Sequence, residues 1–154
     1  MSDTVSAIPE GIPRIAPLLT VRDADAAIDY YRAVFGAEEV LRLTAPDGRV
    51  LHGELQIGGA MVMLVDEFPE WENRNPESIG GTPVRIHLYV EDVDAVAGRA
   101  VDAGGMVAVP VAVQFYGDRS GRIEDPYGHQ WVLASHVEDV SAEEMQRRSD
   151  QLFG

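Results

Sequence analysis

The sequence predicts an α+β protein built from two tandem βαβββ modules, with a short helix at the C-terminus. Two observations carry that prediction. First, LLTVRDADAA at 18–27 and HLYVEDVDAV at 87–96 align at a constant offset of 69 residues, pairing Leu19 with Leu88, Val21 with Val90, Asp23 with Asp92, Asp25 with Asp94 and Ala26 with Ala95. The same offset pairs Gly36 with Gly105, Val40 with Val109, Gly59 with Gly128 and Leu64 with Leu133. Self-similarity that persists across both halves marks a duplicated unit. Second, the apolar period changes in the same order in each half, from that of a strand to that of a helix and back.

Residues 1–11 read as an N-terminal tail and 12–66 as the first module. A strand ends near Val21. Asp23 follows as an N-cap, a carboxylate able to accept an orphan backbone N–H. The helix over 24–35 repeats Ala27, Ile28, Tyr31, Val34 and Phe35 at helical spacing and stops at Gly36. Strands are expected near 38–44, 49–57 and 60–66, broken by Pro46-Asp47-Gly48 and Gly58-Gly59. Residues 67–83, EFPEWENRNPESIGGTP, have turn composition and form the linker, with Trp71 read as a hydrophobic plug.

The second module, 84–136, opens on a strict alternation. Val84, Ile86, Leu88 and Val90 interleave with Arg85, His87 and Tyr89, so one face is buried and the other carries three polar groups. Asp92 caps a helix over 93–103 with Val93, Val96, Ala97 and Val101 on one side, and Gly104 ends it. Strands follow near 107–115, 119–124 and 129–135, with a turn at Asp125-Pro126-Tyr127-Gly128. In the tail, 137–154, Ser141-Ala142-Glu143-Glu144 is a capping box that opens a helix over 142–152. Met145, Leu152 and Phe153 can dock that helix on the domain or on a second subunit.

Composition narrows the function classes. Hydrophobic residues make up 45% of the 154, enough for a packed interior. No apolar run approaches a membrane span, and MSDTVSAIPEGIP has neither the basic start nor the apolar core of a secretory signal, so a cytoplasmic location is expected. With no cysteine, disulfides, thiolate metal sites and a cysteine nucleophile are excluded. The charge is −14, from 26 Asp+Glu against 12 basic residues, all of them arginine. That field repels nucleic acid and anionic membranes, so neither is expected as a partner; it favours a cationic ligand or serves solubility alone. There is no phosphate-binding glycine loop and no Ser-His-Asp arrangement.

Four stretches carry a family resemblance: LLTVRDADAAIDYYRAVFGAEEV at 18–40, HGELQIGGAMVML at 52–64, HLYVEDVDAVAGRAVDAGG at 87–105 and FYGDRSGRIEDPYGHQWVLASH at 115–136. Together they resemble the vicinal oxygen chelate superfamily, which includes glyoxalase, bleomycin-resistance proteins and extradiol dioxygenases. They look most like its PhnB-like branch. The resemblance implies a cupped mixed sheet with the helices outside, a ligand site in the cup and a homodimer. It does not settle the chemistry, because one scaffold carries many activities in this group.

Metal-dependent relatives place ligands at four strand positions, which fall here on Ala16, Met63, Arg85 and Val132. Alanine and valine have no donor atom, methionine suits hard divalent ions poorly, and arginine repels them. No cofactor is therefore expected. The alternative is a displaced site for Fe, Zn or Mn made by His52, Glu54 and His87, supporting a lyase, isomerase or dioxygenase. The blander reading puts His52 and Glu54 on a solvent- or subunit-facing strand edge.

The expected ligand-binding residues are Met61, Met63, Arg85, His87, Tyr89, Tyr116 and Gln130. Methionines adapt to irregular apolar ligands. Arg85 can clamp a carboxylate or phosphate, or else pair internally with a carboxylate such as Glu54. His87 is the candidate acid or base, or else a hydrogen-bonded structural histidine. Asp118 and Arg119 are expected to pair with each other and fix their loop. His129 and His136 are expected to be turn or surface residues. The function so read is capture of a small organic molecule, with the displaced-metal enzyme as the alternative.

Overall fold

Each half begins the same way. Strand β1 (Leu18–Val21) leads into Asp23, whose carboxylate accepts from the Ala26 N–H at 3.1 Å and starts α1 (Ala24–Phe35). Strand β5 (Arg85–Tyr89) leads into Asp92, which accepts from the Ala95 N–H at 3.1 Å and starts α3 (Val93–Asp102). A second side chain supports each helix start. Asp66 accepts from the Ala24 N–H at 2.8 Å, and the Ser135 hydroxyl, 69 residues on, accepts from the Val93 N–H at 3.0 Å. These details come from a computed structural model that describes residues 4–154, so the tail expected over 1–11 lies partly outside the described residues.

The remaining strands of the first half are β2 (Glu38–Thr44), β3 (Val50–Ile57) and β4 (Ala60–Asp66). Those of the second are β6 (Met106–Val113), β7 (Asp118–Glu124) and β8 (Gln130–His136). They form two four-stranded sheets, ordered β1-β4-β3-β2 and β5-β8-β7-β6. In each the first strand is parallel to the last, and the register repeats: Leu18 pairs with Met63, His87 with Val132. The duplication therefore holds at the level of single strand pairs.

One face of each sheet is apolar and covered by its helix. Leu19, Val21, Leu55 and Leu64 lie under α1, all at most 5% exposed. Gly53 also lies under the helix, where a Cβ would meet the Ile28 Cδ1 at an ordinary contact distance of 3.6 Å. The two halves share a single core. Tyr31 and Phe35 of α1 reach across to Trp131 of β8, with ring centroids 5.3 and 4.4 Å apart, and Tyr127 packs against Tyr30 and Tyr31. Polar contacts also cross between the halves. Tyr30 donates to the Ala100 carbonyl at 2.9 Å, Arg99 to the Val34 carbonyl at 3.2 Å, and His129 Nε2 stands 2.8 Å from the Thr20 carbonyl. His129 closes the Asp125–Gly128 turn, as its position suggests, and its half-buried ring also serves as a clasp between the halves.

Asp125 anchors the junction. It is 4% exposed, and its carboxylate takes four donors: the Tyr31 hydroxyl, the Trp131 indole N–H at 2.9 Å, and the backbone N–H groups of Tyr127 and His129 at 2.9 and 3.0 Å. A buried carboxylate is tolerated when its lone pairs are filled in this way.

The linker is more ordered than its composition predicts. It holds a 3-10 turn at Pro69–Trp71 and a one-turn helix α2 (Pro76–Ile79) capped by Asn75. The plug is Phe68, buried beneath the Arg49 guanidinium; Trp71 stacks on it from outside and stays 60% exposed. At the C-terminus, Ser141 accepts from the Glu144 N–H at 3.1 Å and opens α4 (Ala142–Phe153). That helix is tied down by Arg148, which reaches Glu138, Glu144 and the Phe115 carbonyl.

Candidate ligand-binding site

The helices occupy one side of each sheet and leave the other side open. On the second sheet this open face can be read off the strand register. Arg85, Gln130 and Glu124 form one row across β5, β8 and β7; His87, Val132 and Arg122 form the next; Tyr89, Ala134 and Ser120 the third. Ile86 and Leu88, between them in sequence, turn to the core. The alternation in 84–90 therefore sorts side chains as it should, and Arg85, His87 and Tyr89 all remain exposed.

Several of these groups are already engaged. Gln130 donates its amide N–H to Glu124 at 2.8 Å. Tyr89 donates its hydroxyl to Asp118 at 2.6 Å, and His136 Nδ1 lies 2.8 Å from the other Asp118 oxygen. His136 Nε2 lies 2.8 Å from Asp139. Burial raises the Asp118 pKa, but the hydrogen bonds from Tyr89 and His136 outweigh it and hold the carboxyl below its usual range. The same bond to Asp118, with help from Asp139, holds the His136 imidazole above its ordinary value. The expected Asp118–Arg119 pair does not form. Asp118 points to the open face, and Arg119 makes a two-pronged bridge to Asp94 at 2.8 and 2.9 Å. Opposite strand faces explain this, because neighbours in a strand cannot share one side. His136 is a surface residue, as expected, and at the same time part of this network.

Two guanidinium groups on this face have no such partner. Neither Arg85 nor Arg122 forms an ion pair among the described residues, and the Arg122 Nε is buried without any hydrogen-bond acceptor. The internal Arg85–Glu54 pair considered from sequence is absent; Glu54 sits 3.1 Å from His52 on the first sheet. A cavity of about 210 Å³ lies between the two arginines, lined also by Val109, Gln114, Tyr116, Ser120, Gly121 and Val132. The Tyr116 and Ser120 hydroxyls meet there at 3.3 Å.

Of the residues picked out by sequence, Arg85 and Tyr116 line this cavity. His87, Tyr89 and Gln130 share its face but lie outside its wall, and the His87 ring rests against Tyr89 at 4.7 Å. Met61 and Met63 line the corresponding face of the first sheet, Met61 buried and Met63 half-buried. Arg122 and Ser120 were missed. The signal was present, since Ser120, Arg122 and Glu124 alternate along SGRIE just as Arg85, His87 and Tyr89 do along RIHLY.

The residues at the metal positions that the resemblance implies do not fit a divalent ion. Met63 and Val132 offer no hard donor, Arg85 presents a cation, and Ala16 lies before β1 with only a methyl group. The displaced set is not assembled within the chain either. His52 and Glu54 adjoin on β3, His87 is on β5 of the other sheet, and no group of three or more His, Asp or Glu among the described residues could hold a metal. A larger cavity of about 570 Å³ between the halves includes Arg22, Glu77 and Asp125. Its polar groups are occupied, with Arg22 bonded to Glu77 and to the Pro126 carbonyl and Asp125 saturated as described.

Comparison with known proteins is consistent with this architecture. Residues 11–133 match the family model of the Glyoxalase/Bleomycin resistance protein/Dioxygenase superfamily. An uncharacterized protein of Mycobacterium bovis is 44% identical over 137 residues, covering 87% of this chain and 90% of that one. Among solved structures, TioX from Micromonospora sp. ML1 is 28% identical with a TM-score of 0.63, covering 81% of this chain and 99% of its own. A PhnB protein from Bacillus cereus (19%, TM-score 0.64, 80% and 99% covered) shares the fold. So does the fosfomycin resistance protein FosX from Listeria monocytogenes, complexed with Mn(II) and sulfate (19%, TM-score 0.63, 92% and 99% covered).

Proposed function

The chain belongs to the Glyoxalase/Bleomycin resistance protein/Dioxygenase superfamily, and from that premise we propose that it captures a small organic molecule on its open sheet faces without the usual metal site. The observation that carries this reading is the polar face of the second sheet. A mostly apolar floor with a few convergent polar groups is the usual make-up of a small-molecule site. Here Val109 and Val132 supply the floor, and Arg85, Arg122 and Tyr116 the polar groups.

The faces are open in the single chain, and a second copy is the occupant that closes them. Leu41 and Leu43 on β2, in register with Glu54 and His52, and Met106 and Val109 on β6, in register with Glu124 and Arg122, are exposed on these faces. Apolar surface of that extent on the outer strands favours burial against an identical chain. A homodimer is expected in light scattering after size exclusion, and Leu43→Glu should shift it toward monomer. A wild-type protein that is monomeric at every accessible concentration would sink the dimer.

The reading is tested by metal analysis together with thermal-shift screening of untagged protein purified without chelators. Ligand capture predicts substoichiometric transition metal and a melting temperature that rises with ligand concentration. Stoichiometric metal, lost on substitution of His52, Glu54 or His87, would favour the displaced-metal enzyme instead.

A further inference from the structure

Resting on the ligand-capture reading above, we infer that the molecule held on the second sheet carries an oxyanion, a carboxylate or phosphate, seated between Arg85 and Arg122. The overall charge of −14 argues at first for a cationic ligand, yet the cavity is the reverse of the chain around it. The sequence holds 26 Asp and Glu, yet none among the described residues lines this cavity. The nearest acids on the same face are committed. Glu124 accepts from Gln130, and Asp118 accepts from Tyr89 and faces His136. The two arginines have no carboxylate within ion-pair distance among the described residues.

Arg122 is the stronger clue. Its Nε is buried and makes no hydrogen bond. A buried donor on a charged group left without an acceptor is costly, and native structures rarely keep one without reason. An oxyanion entering the cavity supplies the acceptor. Guanidinium forks match carboxylate and phosphate oxygens two at a time, which a single ammonium cannot do. The Tyr116 and Ser120 hydroxyls, 3.3 Å apart on the same wall, can donate to a further oxygen. Val109 and Val132 leave the rest of the cavity apolar, so the anion is attached to an apolar body rather than being a free inorganic ion.

The experiment is calorimetric titration of the full chain at neutral pH with four probes of similar body: benzoate, phenyl phosphate, benzyl alcohol and benzylammonium. The variants are Arg85→Gln, Arg122→Gln and Arg122→Lys, with thermal midpoints measured alongside. Benzoate or phenyl phosphate should bind best, and the tighter of the two identifies the oxyanion. Each glutamine variant should weaken it by about tenfold or more, and Arg122→Lys should lose less than Arg122→Gln. Arg85 is exposed, so its glutamine variant keeps the test valid even where Arg122→Gln fails to fold. If the neutral or cationic probe binds as tightly as the anions, or if anion binding survives Arg85→Gln and Arg122→Lys undiminished, the oxyanion inference is overturned while ligand capture stands. If no probe of any charge binds, both fall together.

Discussion

At the scale of single residues, Asp125 and His136 make opposite contributions. Asp125 is buried and saturated, so Asp125→Ala strands a tyrosine hydroxyl, an indole N–H and two backbone N–H groups at the junction of the halves. A loss of about 3 kcal/mol or more is expected in urea unfolding, and a loss below about 1 kcal/mol would contradict the account. His136 is exposed, and its effect shows in pH dependence instead. Its folded pKa lies above the ordinary value near 6.5, so the stability from its bond to Asp118 is fully present below that pH and fades as pH rises through the raised value. Asp118, held low, adds stability that is lost only as pH falls through its depressed value. The urea-midpoint difference between wild type and His136→Gln should therefore be largest near pH 5 to 6 and shrink toward pH 9. A flat difference across that range would refute the pairing. Neither role was legible in the sequence. Periodicity tells which face a residue is on, but Asp125 meets Tyr31 across 94 positions, and nothing local encodes that meeting.

Elements were far more legible. Asp23 and Asp92 cap the helices they precede, Gly36 closes α1 in the left-handed conformation, and the eight strands fall within about two residues of their expected bounds, since alternation and turn residues are local signals. The linker was the weak point. Its buried Asn75 and Phe68 are isolated residues without a period, so composition alone described them as loop. Helix α3 offers a paired test. Gly98 is exposed in mid-helix with nothing within 4 Å of a Cβ placed there, so Gly98→Ala should stabilise by about 0.5–1 kcal/mol. Gly105, just past the helix, would bring a Cβ to 2.7 Å from the Tyr30 hydroxyl and 2.8 Å from the Ala100 carbonyl. Gly105→Ala should cost about 2 kcal/mol, read in the same unfolding experiment. Equal effects at both positions would show that the Tyr30–Ala100 contact does not hold the helices together.

For the molecule as a whole, the decisive feature is that two sheets without a shared strand are joined through one core. The duplicated halves are equivalent in register but not independent. Tyr31 and Phe35 of the first have their cover in Trp131 and Tyr127 of the second. Unfolding should accordingly be a single transition, with coincident fluorescence and far-UV dichroism curves; two separated transitions would mean that each half stands alone. The covalent join between the halves contributes little to this arrangement. Gly80 and Gly81 lie exposed in the linker, and neither belongs to the shared hydrophobic core. A chain nicked there should hold together as a reconstituted heterodimer of its own fragments, each fragment alone being insoluble for want of the other. The protein would then behave as a self-complementing pair that happens to be translated as one polypeptide.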